Sequence, residues 1–366
     1  MASEHGLPTV LLLGPARSAV SGVATHLNLL FESALSQRFR LIQFQVGSEG
    51  RPPGSLRTAV RLVTSPLAFA VALVRFRPRI VHINTSLMPK SYWRDLLYLA
   101  FAKALRRKVV YQVHGGALPG DFFAGNRVLT SLLRRVLSWP DAVVLLARSE
   151  MAAYADFAPR ARLVRIPNAV SPGEAAVRVE CNGEDRPLRI VFVGRLAADK
   201  GVLETVEAVR ILRDRGIDSY LTIAGSGSAE HEITAAIEAS RLGDRTALVG
   251  AVFGSAKQQL WREADAFALP TVREGLPYAL LEAMAGSVVP VVSPVGAIPD
   301  VVQNEVNGLL VPARDALALA NALERLANDR PLLLRLALAA RLRVVNHYSL
   351  VHTAQEFDAL YARLTP

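Results

Sequence analysis

Two glutamates eight residues apart, Glu274 and Glu282, lie in the stretch REGLPYALLEAMAG, residues 273–286. A Gly-Leu-Pro turn follows the first, and Pro277 suits the opening turn of a helix. The backbone of Gly275, Leu276, Pro277 and Tyr278 would then turn N–H groups towards a ligand, with Glu274 on the entry loop. Glu282 would lie over a turn into that helix. Exposed helical glutamate is common, but Ala279, Leu280, Leu281, Ala283, Met284 and Ala285 surround this one. A carboxylate in such company needs polar partners, and sugar hydroxyls would supply them.

Other residues with chemical capacity follow apolar runs. After LRIVFVG comes RLAADKG, which puts Arg195 and Lys200 just ahead of the helical pattern VLETVEAVRILRDRG. Two cations at a helix entrance add to its backbone N–H groups and dipole, the conditions for holding a diphosphate; solvated surface cations are the alternative. After YLTIAG, Gly225 and Gly227 flank Ser226, either to admit a ligand close to the backbone or to form a plain tight turn. After KVVYQV comes HGGALPGD, with His114 at a strand end before two glycines. A satisfied structural histidine is the default, while the glycine pair and the position favour a binding role. Ser21 and Gly22 fall where a loop should enter a helix, a place for an anion, a substrate hydroxyl or simply a cap.

These positions require elements to hold them. The runs TVLLLG, RLIQFQV, RIVHIN, KVVYQVHG, DAVVLLA and RLVRIPN alternate with helical patterns, and LRIVFVG, YLTIAG, TALVGAV, AFALP and VVPVVS do so again. Such alternation predicts parallel sheets with helices on both faces. Between the sets, residues 171–187 are rich in proline, glycine and charge and read as a linker. The expected fold is α/β, with two Rossmann-like, doubly wound domains, 1–170 and 188–348, facing across a cleft. Ligands in such sheets bind beyond the carboxyl ends of the strands, where the polar residues above fall.

Composition narrows the class. A chain of 366 residues, 51% hydrophobic and 20% charged, suits a folded two-domain enzyme. Cys181 is the sole cysteine, so no intramolecular disulfide is expected. The N-terminus lacks the pattern of a signal peptide, and a cytoplasmic location is expected. The longest apolar tract, Leu62 to Val74, is short for a span and reads as a packed or interfacial helix. Residues 1–170 hold 22 Lys and Arg against 8 Asp and Glu, whereas residues 171–366 hold 20 against 24. The basic half calls for an anionic partner. In KSYWRDLLYLAFAKALRRK, Tyr92, Trp93, Tyr98 and Phe101 are interleaved with cations, a pattern suited to an anionic membrane surface; a core-facing amphipathic helix is the alternative.

Taken in order, IPNAV, FVGRLAADKG, IAGSG, the E-x7-E pair Glu274 and Glu282, and NGLLV resemble the retaining GT-B glycosyltransferases of family 4. The resemblance runs through nearly the whole chain and is strongest from Arg189 to Pro312. It implies that Arg195 and Lys200 hold the donor diphosphate and Glu282 the ribose hydroxyls. Glu274, with the backbone of Gly275, Leu276 and Pro277, would hold the transferred sugar. Gly225 and Gly227 would line the donor site, His114 would approach the sugar from the other domain, and Gly22 would match the family's glycine loop, where this chain has Ser21-Gly22 instead of a doublet. It also implies that residues 349–366 pack back on the first domain.

No D-x-D motif occurs, and the two cations can stabilise a leaving diphosphate, so neither metal nor cofactor is expected. The function expected is metal-independent, retaining transfer of one sugar from a nucleotide sugar to an acceptor hydroxyl, UDP being favoured over GDP. The acceptor expected is a lipid-linked intermediate of surface polysaccharide or glycolipid assembly, met at the inner face of the membrane. Two rivals stand beside it: an epimerase or hydrolase of nucleotide sugars on the same fold, and a non-catalytic nucleic-acid binder. The epimerase would need an acid/base pair from among Asp95, Asp121, Asp141, Glu150 and Asp156.

Overall fold

The computed structural model describes residues 6–47, 55–171 and 186–365, with backbone alone for 55–59 and 61–63. The chain divides into two compact units, Met1–Ala169 with Leu350–Pro366, and Val170–Ser349. Most of the expected linker, including Cys181, lies outside the described residues.

The first unit contains β1 (Thr9–Gly14), β2 (Arg40–Gln45), β3 (Ile80–Leu87), β4 (Lys108–Gly116), β5 (Ala142–Leu145) and β6 (Leu163–Arg165). They form one parallel sheet in the order β2-β1-β3-β4-β5-β6. Its two faces follow from the period of two along each strand. Leu11, Leu13, Val81, Ile83, Val109, Tyr111, Val143 and Leu145 join one core, while Val10, Leu12, Ile80, Val110, Ala142 and Val144 join the other. With both faces covered, the strands read as unbroken apolar runs rather than as an alternation.

The second face is closed by helix Gly22–Glu32, through Leu27 and Leu30, and by the terminal helix Leu350–Leu364, through Phe357, Leu360 and Tyr361. Burying each of these large side chains contributes about 1.5–3 kcal/mol, which is why the last helix joins this unit across some 180 intervening residues.

The second unit contains β7 (Leu188–Val193), β8 (Ser219–Ala224), β9 (Thr246–Gly250), β10 (Ala266–Leu269), β11 (Val289–Val292) and β12 (Leu309–Leu310). All pair in parallel, in the order β12-β11-β10-β7-β8-β9. Relative to its own first strand this is the doubly wound order of dinucleotide-binding folds, and the winding reverses between β7 and β10. The eleven predicted apolar runs are all strands. The twelfth strand, two residues long, carries too little periodicity to be seen beforehand.

The helix across the longest apolar tract spans Ser55–Phe76 and runs through Pro66. No helix among the described residues is long and apolar enough to cross a membrane.

Candidate functional site

The reversal between β7 and β10 brings two loops together. After β7, the chain passes Arg195, makes a short 3-10 turn at Ala198–Lys200 and enters helix Val202–Asp214 through Gly201. After β10, it runs from Pro270 through Gly275 to Pro277, the N-cap of helix Tyr278–Ala285. Hydrogen bonds stitch the loops: Val272 N–H and Thr271 Oγ1 both donate to Asp199 O, each at 3.0 Å. Ala297 N–H donates to Gly275 O at 2.9 Å, bracing the second loop from the β11 side.

Across this seam Lys200 meets Glu274. Its Nζ lies 2.5 Å from Oε1 and 3.1 Å from the carbonyl of Arg273. Both side chains are mostly buried, at 13% and 17% exposure. Burial pushes the Glu274 carboxyl above its usual range, and Asp199 adds to that, while Lys200 and Arg195 oppose it. Arg195 itself is exposed and forms no ion pair among the described residues. Two of the three Lys200 donors are engaged, so the ammonium is already oriented and keeps one donor for a ligand.

Glu282 is 21% exposed, in keeping with its apolar neighbours. Its protein partner is Lys257, whose Nζ is 2.5 Å from Oε2 as an ion pair without a well-angled hydrogen bond. Lys257, and not only a sugar hydroxyl, is thus a polar partner for this carboxylate, and the residues around Glu282 in the sequence do not reveal it. The signal was its place in the loop-and-helix segment after β9, Gly254–Glu263, on the same carboxyl edge. Tyr278 is buried beneath, its hydroxyl held neutral by burial and by the Glu282 charge.

Backbone packing requires glycine at positions 225 and 227. A Cβ on Gly225 would stand 1.8 Å from Gly194 O, and one on Gly227 would stand 2.2 Å from Leu196 O. Leu196 N–H donates to Ser226 O at 2.9 Å and Ala229 N–H to Leu196 O at 3.0 Å. The close approach is therefore between this loop and the one that carries Arg195, which it props from behind.

In the first unit, Ser21 caps helix Gly22–Glu32 by accepting from Ala24 N–H at 3.3 Å, and Gly22 is its exposed first residue. His26 on that helix packs edge-on to His114, with ring centroids 4.8 Å apart. His114 Nε2 is 2.8 Å from Asn84 Oδ1, and Asn84 Nδ2 donates to Leu13 O at 3.0 Å. That second bond fixes the amide, so Oδ1 must accept and Nε2–H must donate, leaving the lone pair on Nδ1. His82 continues the tier, at 2.6 Å from the Tyr361 hydroxyl and 3.0 Å from Gln112 Oε1. Burial lowers all three: His26 to about 4, His82 to about 3, and His114 well below the ordinary value, with His26 and His82 adding to the effect there. His114 is thus a neutral imidazole of fixed tautomer, held in a histidine cluster that its own sequence neighbourhood does not announce.

The interleaved aromatics of helix Pro89–Ala104 separate into two sets. Tyr92 and Tyr98 are core residues, whereas Trp93 and Phe101 are exposed, so the helix is both core-facing and outward apolar. The acidic residues of this unit are largely committed. Asp95 accepts from Arg94 Nε at 2.7 Å and from Thr85 Oγ1 at 2.6 Å. Asp141 accepts from Lys103 and Val109 N–H, both at 2.9 Å, and Glu150 accepts from the N–H groups of Leu146 and Ala147, both at 3.0 Å.

Residues 9–169 match the model of a glycosyl transferase 4-like domain, and residues 187–329 match that of the group 1 glycosyl transferases. The amylovoran biosynthesis glycosyltransferase AmsK of Erwinia amylovora is 37% identical over 45% of this chain and 42% of its own length. The alpha-D-kanosaminyltransferase of Streptomyces kanamyceticus is 30% identical over 52% and 49%. The chain thus spans less than half the length of these relatives. Among solved structures, sucrose-phosphate synthase from Thermosynechococcus elongatus superposes with a TM-score of 0.81 over 98% of this chain and 99% of its own, at 20% identity. Anabaena HepE in complex with UDP-glucose does so with a TM-score of 0.77 over 97% and 99%, at 14% identity. These likenesses establish the GT-B fold. With family models matching both units in order, the chain belongs to the group 1, GT4-like glycosyltransferases.

Proposed function

We propose that this protein transfers one sugar, with retention, from a nucleotide sugar to a hydroxyl of a lipid-linked acceptor in surface polysaccharide or glycolipid assembly. The observation that carries the reading is the Lys200–Glu274 contact at the winding reversal of the second sheet, beside the entrance of helix Val202–Asp214. A diphosphate there would meet the helix N-terminus, the remaining donor of Lys200 and the guanidinium of Arg195. Glu274 would accept from hydroxyls of the transferred sugar, with Gly275, Leu276 and Pro277 behind it. Glu282 would accept from the ribose hydroxyls, in exchange for part of its contact with Lys257.

His114, neutral and with Nδ1 as an acceptor, would take a hydrogen bond from the donor sugar; burial lowers its proton affinity and so makes it a weak base. As the bond from the anomeric carbon to the diphosphate breaks and the bond to the acceptor oxygen forms on the same face, the acceptor proton passes to the leaving diphosphate. The protein would supply positioning and charge stabilisation through Arg195 and Lys200, without a metal or cofactor. The UDP and UDP-glucose named for HepE support UDP as the nucleotide, and AmsK's amylovoran supports polysaccharide assembly. The surplus of Lys and Arg in residues 1–170 supports work at an anionic membrane surface.

The epimerase or hydrolase reading loses its acids, since Asp95, Asp141 and Glu150 serve backbone and ion-pair partners and Asp121 and Asp156 are exposed. The test is calorimetric titration with UDP, GDP and ADP, without added metal, on the wild-type protein and on Glu282→Ala. Selective binding of UDP that the substitution weakens at least tenfold is expected; no binding of any nucleotide would refute the reading.

A further inference from the structure

Helices Ser55–Phe76 and Pro89–Ala104 of the first unit pack side by side, joined by a 2.7 Å hydrogen bond between Ser65 and Tyr98 and by the edge-on rings of Phe69 and Tyr98. Their inner stripes, Phe69, Ala72 and Leu73 on one and Tyr92, Leu99 and Ala102 on the other, fill the core. A surface helix ordinarily turns polar residues outward. Here the outer stripes are apolar as well. Leu67 and Val71 are 63% exposed and Val74 62%, at the spacing of one helical face, and beside them Trp93, Leu97 and Phe101 repeat every four residues and are also exposed. Met88 and Leu118, both exposed, extend the patch to the carboxyl ends of β3 and β4, the edge that carries His114.

The charges around this face are mostly of one sign, with Asp121 exposed three residues beyond Leu118. Residues 50–120 contain twelve Lys and Arg and a single acid, Asp95, which is buried against Arg94. Lys90, Arg75, Arg77 and Arg106 stand exposed at the ends of the two helices. An apolar face rimmed mainly by cations is complementary to a bilayer with anionic headgroups: the rim meets phosphates and the stripe enters the acyl boundary. From these observations we infer that the outer face of helices Ser55–Phe76 and Pro89–Ala104 inserts shallowly into an anionic membrane. The inference rests on the proposed lipid-linked acceptor and sharpens it. Each helix begins at the carboxyl edge of the sheet, so an acceptor anchored in that bilayer would emerge beside the His114 edge. A narrower stripe, Leu334, Leu338 and Leu342, lies on a single helix of the second unit and serves as a control.

The test is flotation of the full chain with vesicles of phosphatidylcholine alone and with about a third phosphatidylglycerol. Three variants are compared: Leu67→Ser/Val71→Ser/Trp93→Ser, Lys90→Gln/Arg106→Gln, and the control Leu338→Ser. Wild type should bind only the anionic vesicles and keep part of that binding in 0.5 M salt. The apolar variant should lose at least tenfold in partitioning. The charge variant should lose about fivefold per cation in low salt, and the control nothing. Circular dichroism and UDP affinity should be unchanged throughout. Loss of all wild-type binding in high salt, equal binding by the apolar variant, or loss confined to the control would overturn the inference. So would a wild-type dimer that the apolar variant converts to monomer, since a second copy would then cover the face. Vesicle binding without nucleotide binding would leave the face intact and remove the transferase reading instead.

Discussion

Acidification should open the first unit and spare the second. His26 and His82 are buried, with values lowered to about 4 and about 3 from an unfolded value of 6.5, and burial is the leading cause in both. A base whose folded value is depressed contributes stability that is present above pH 6.5, where neither state is protonated. That stability is lost as pH falls towards the folded values, because the unfolded chain takes up protons that the folded chain refuses. Between pH 7.5 and pH 5.0 each histidine costs about 2 kcal/mol, so the pair costs about 4 kcal/mol, a large part of the stability of a typical domain. His114 is shifted in the same direction and adds to the loss.

The histidines of the second unit, His231 and His347, are exposed rather than buried. The raised carboxyl of Glu274 acts in the opposite sense, favouring the fold below its folded value and opposing it above. Peptide-resolved hydrogen–deuterium exchange at the two pH values, corrected for intrinsic rates, reads both units in one sample. The opening free energy across β3 and β4 should fall by about 4 kcal/mol or more while that across β7 and β10 changes by less than about 1 kcal/mol. His26→Gln should remove about 2 kcal/mol of the difference between the two pH values. An equal fall in both units, or an unchanged difference in His26→Gln, would refute the assignment of neutral buried histidines.

Glu274→Ala should lower turnover by a hundredfold or more with UDP affinity within a few fold, whereas Glu282→Ala should do the reverse; steady-state kinetics beside calorimetry separates them. Lys200→Met leaves the Glu274 carboxyl without its cation and should push it further up, so the acid limb of the pH–activity profile should move to higher pH. Lys257→Met should weaken UDP binding several fold, because Glu282 would lose the ion pair that holds its carboxylate in place; an unchanged affinity would show that Lys257 is only a surface partner. Gly225→Ala places a methyl group against Gly194 O and should destabilise the second unit by about 3 kcal/mol or more whether or not nucleotide is present, measured by thermal melting.

Sequence alone determined the class of fold and the neighbourhood of the chemistry. Parallel strands covered on both faces must be apolar throughout, so eleven of the twelve strands announced themselves, and the residues that follow them had to lie on the carboxyl edge. Glu282 could be read as sheltered because its helix offers only apolar neighbours. Contacts between segments distant in the chain were beyond reach. Lys200 meets Glu274 because β7 and β10 are adjacent in the sheet, an order set by how helices cross over it and not by any local pattern. Lys257 reaches Glu282 from the segment after β9, and His26, His82 and His114 gather from a helix and two strands under a terminal helix more than 200 residues away. Gly225 and Gly227 made a motif that fitted either a ligand approach or a tight turn, and only the folded chain shows the obstruction that demands glycine, the backbone of Gly194 and Leu196. Tyr92, Trp93, Tyr98 and Phe101 formed one aromatic set in the sequence. The neighbouring helix divided them into core and surface, because burial depends on what packs alongside and the sequence of one helix does not contain that information.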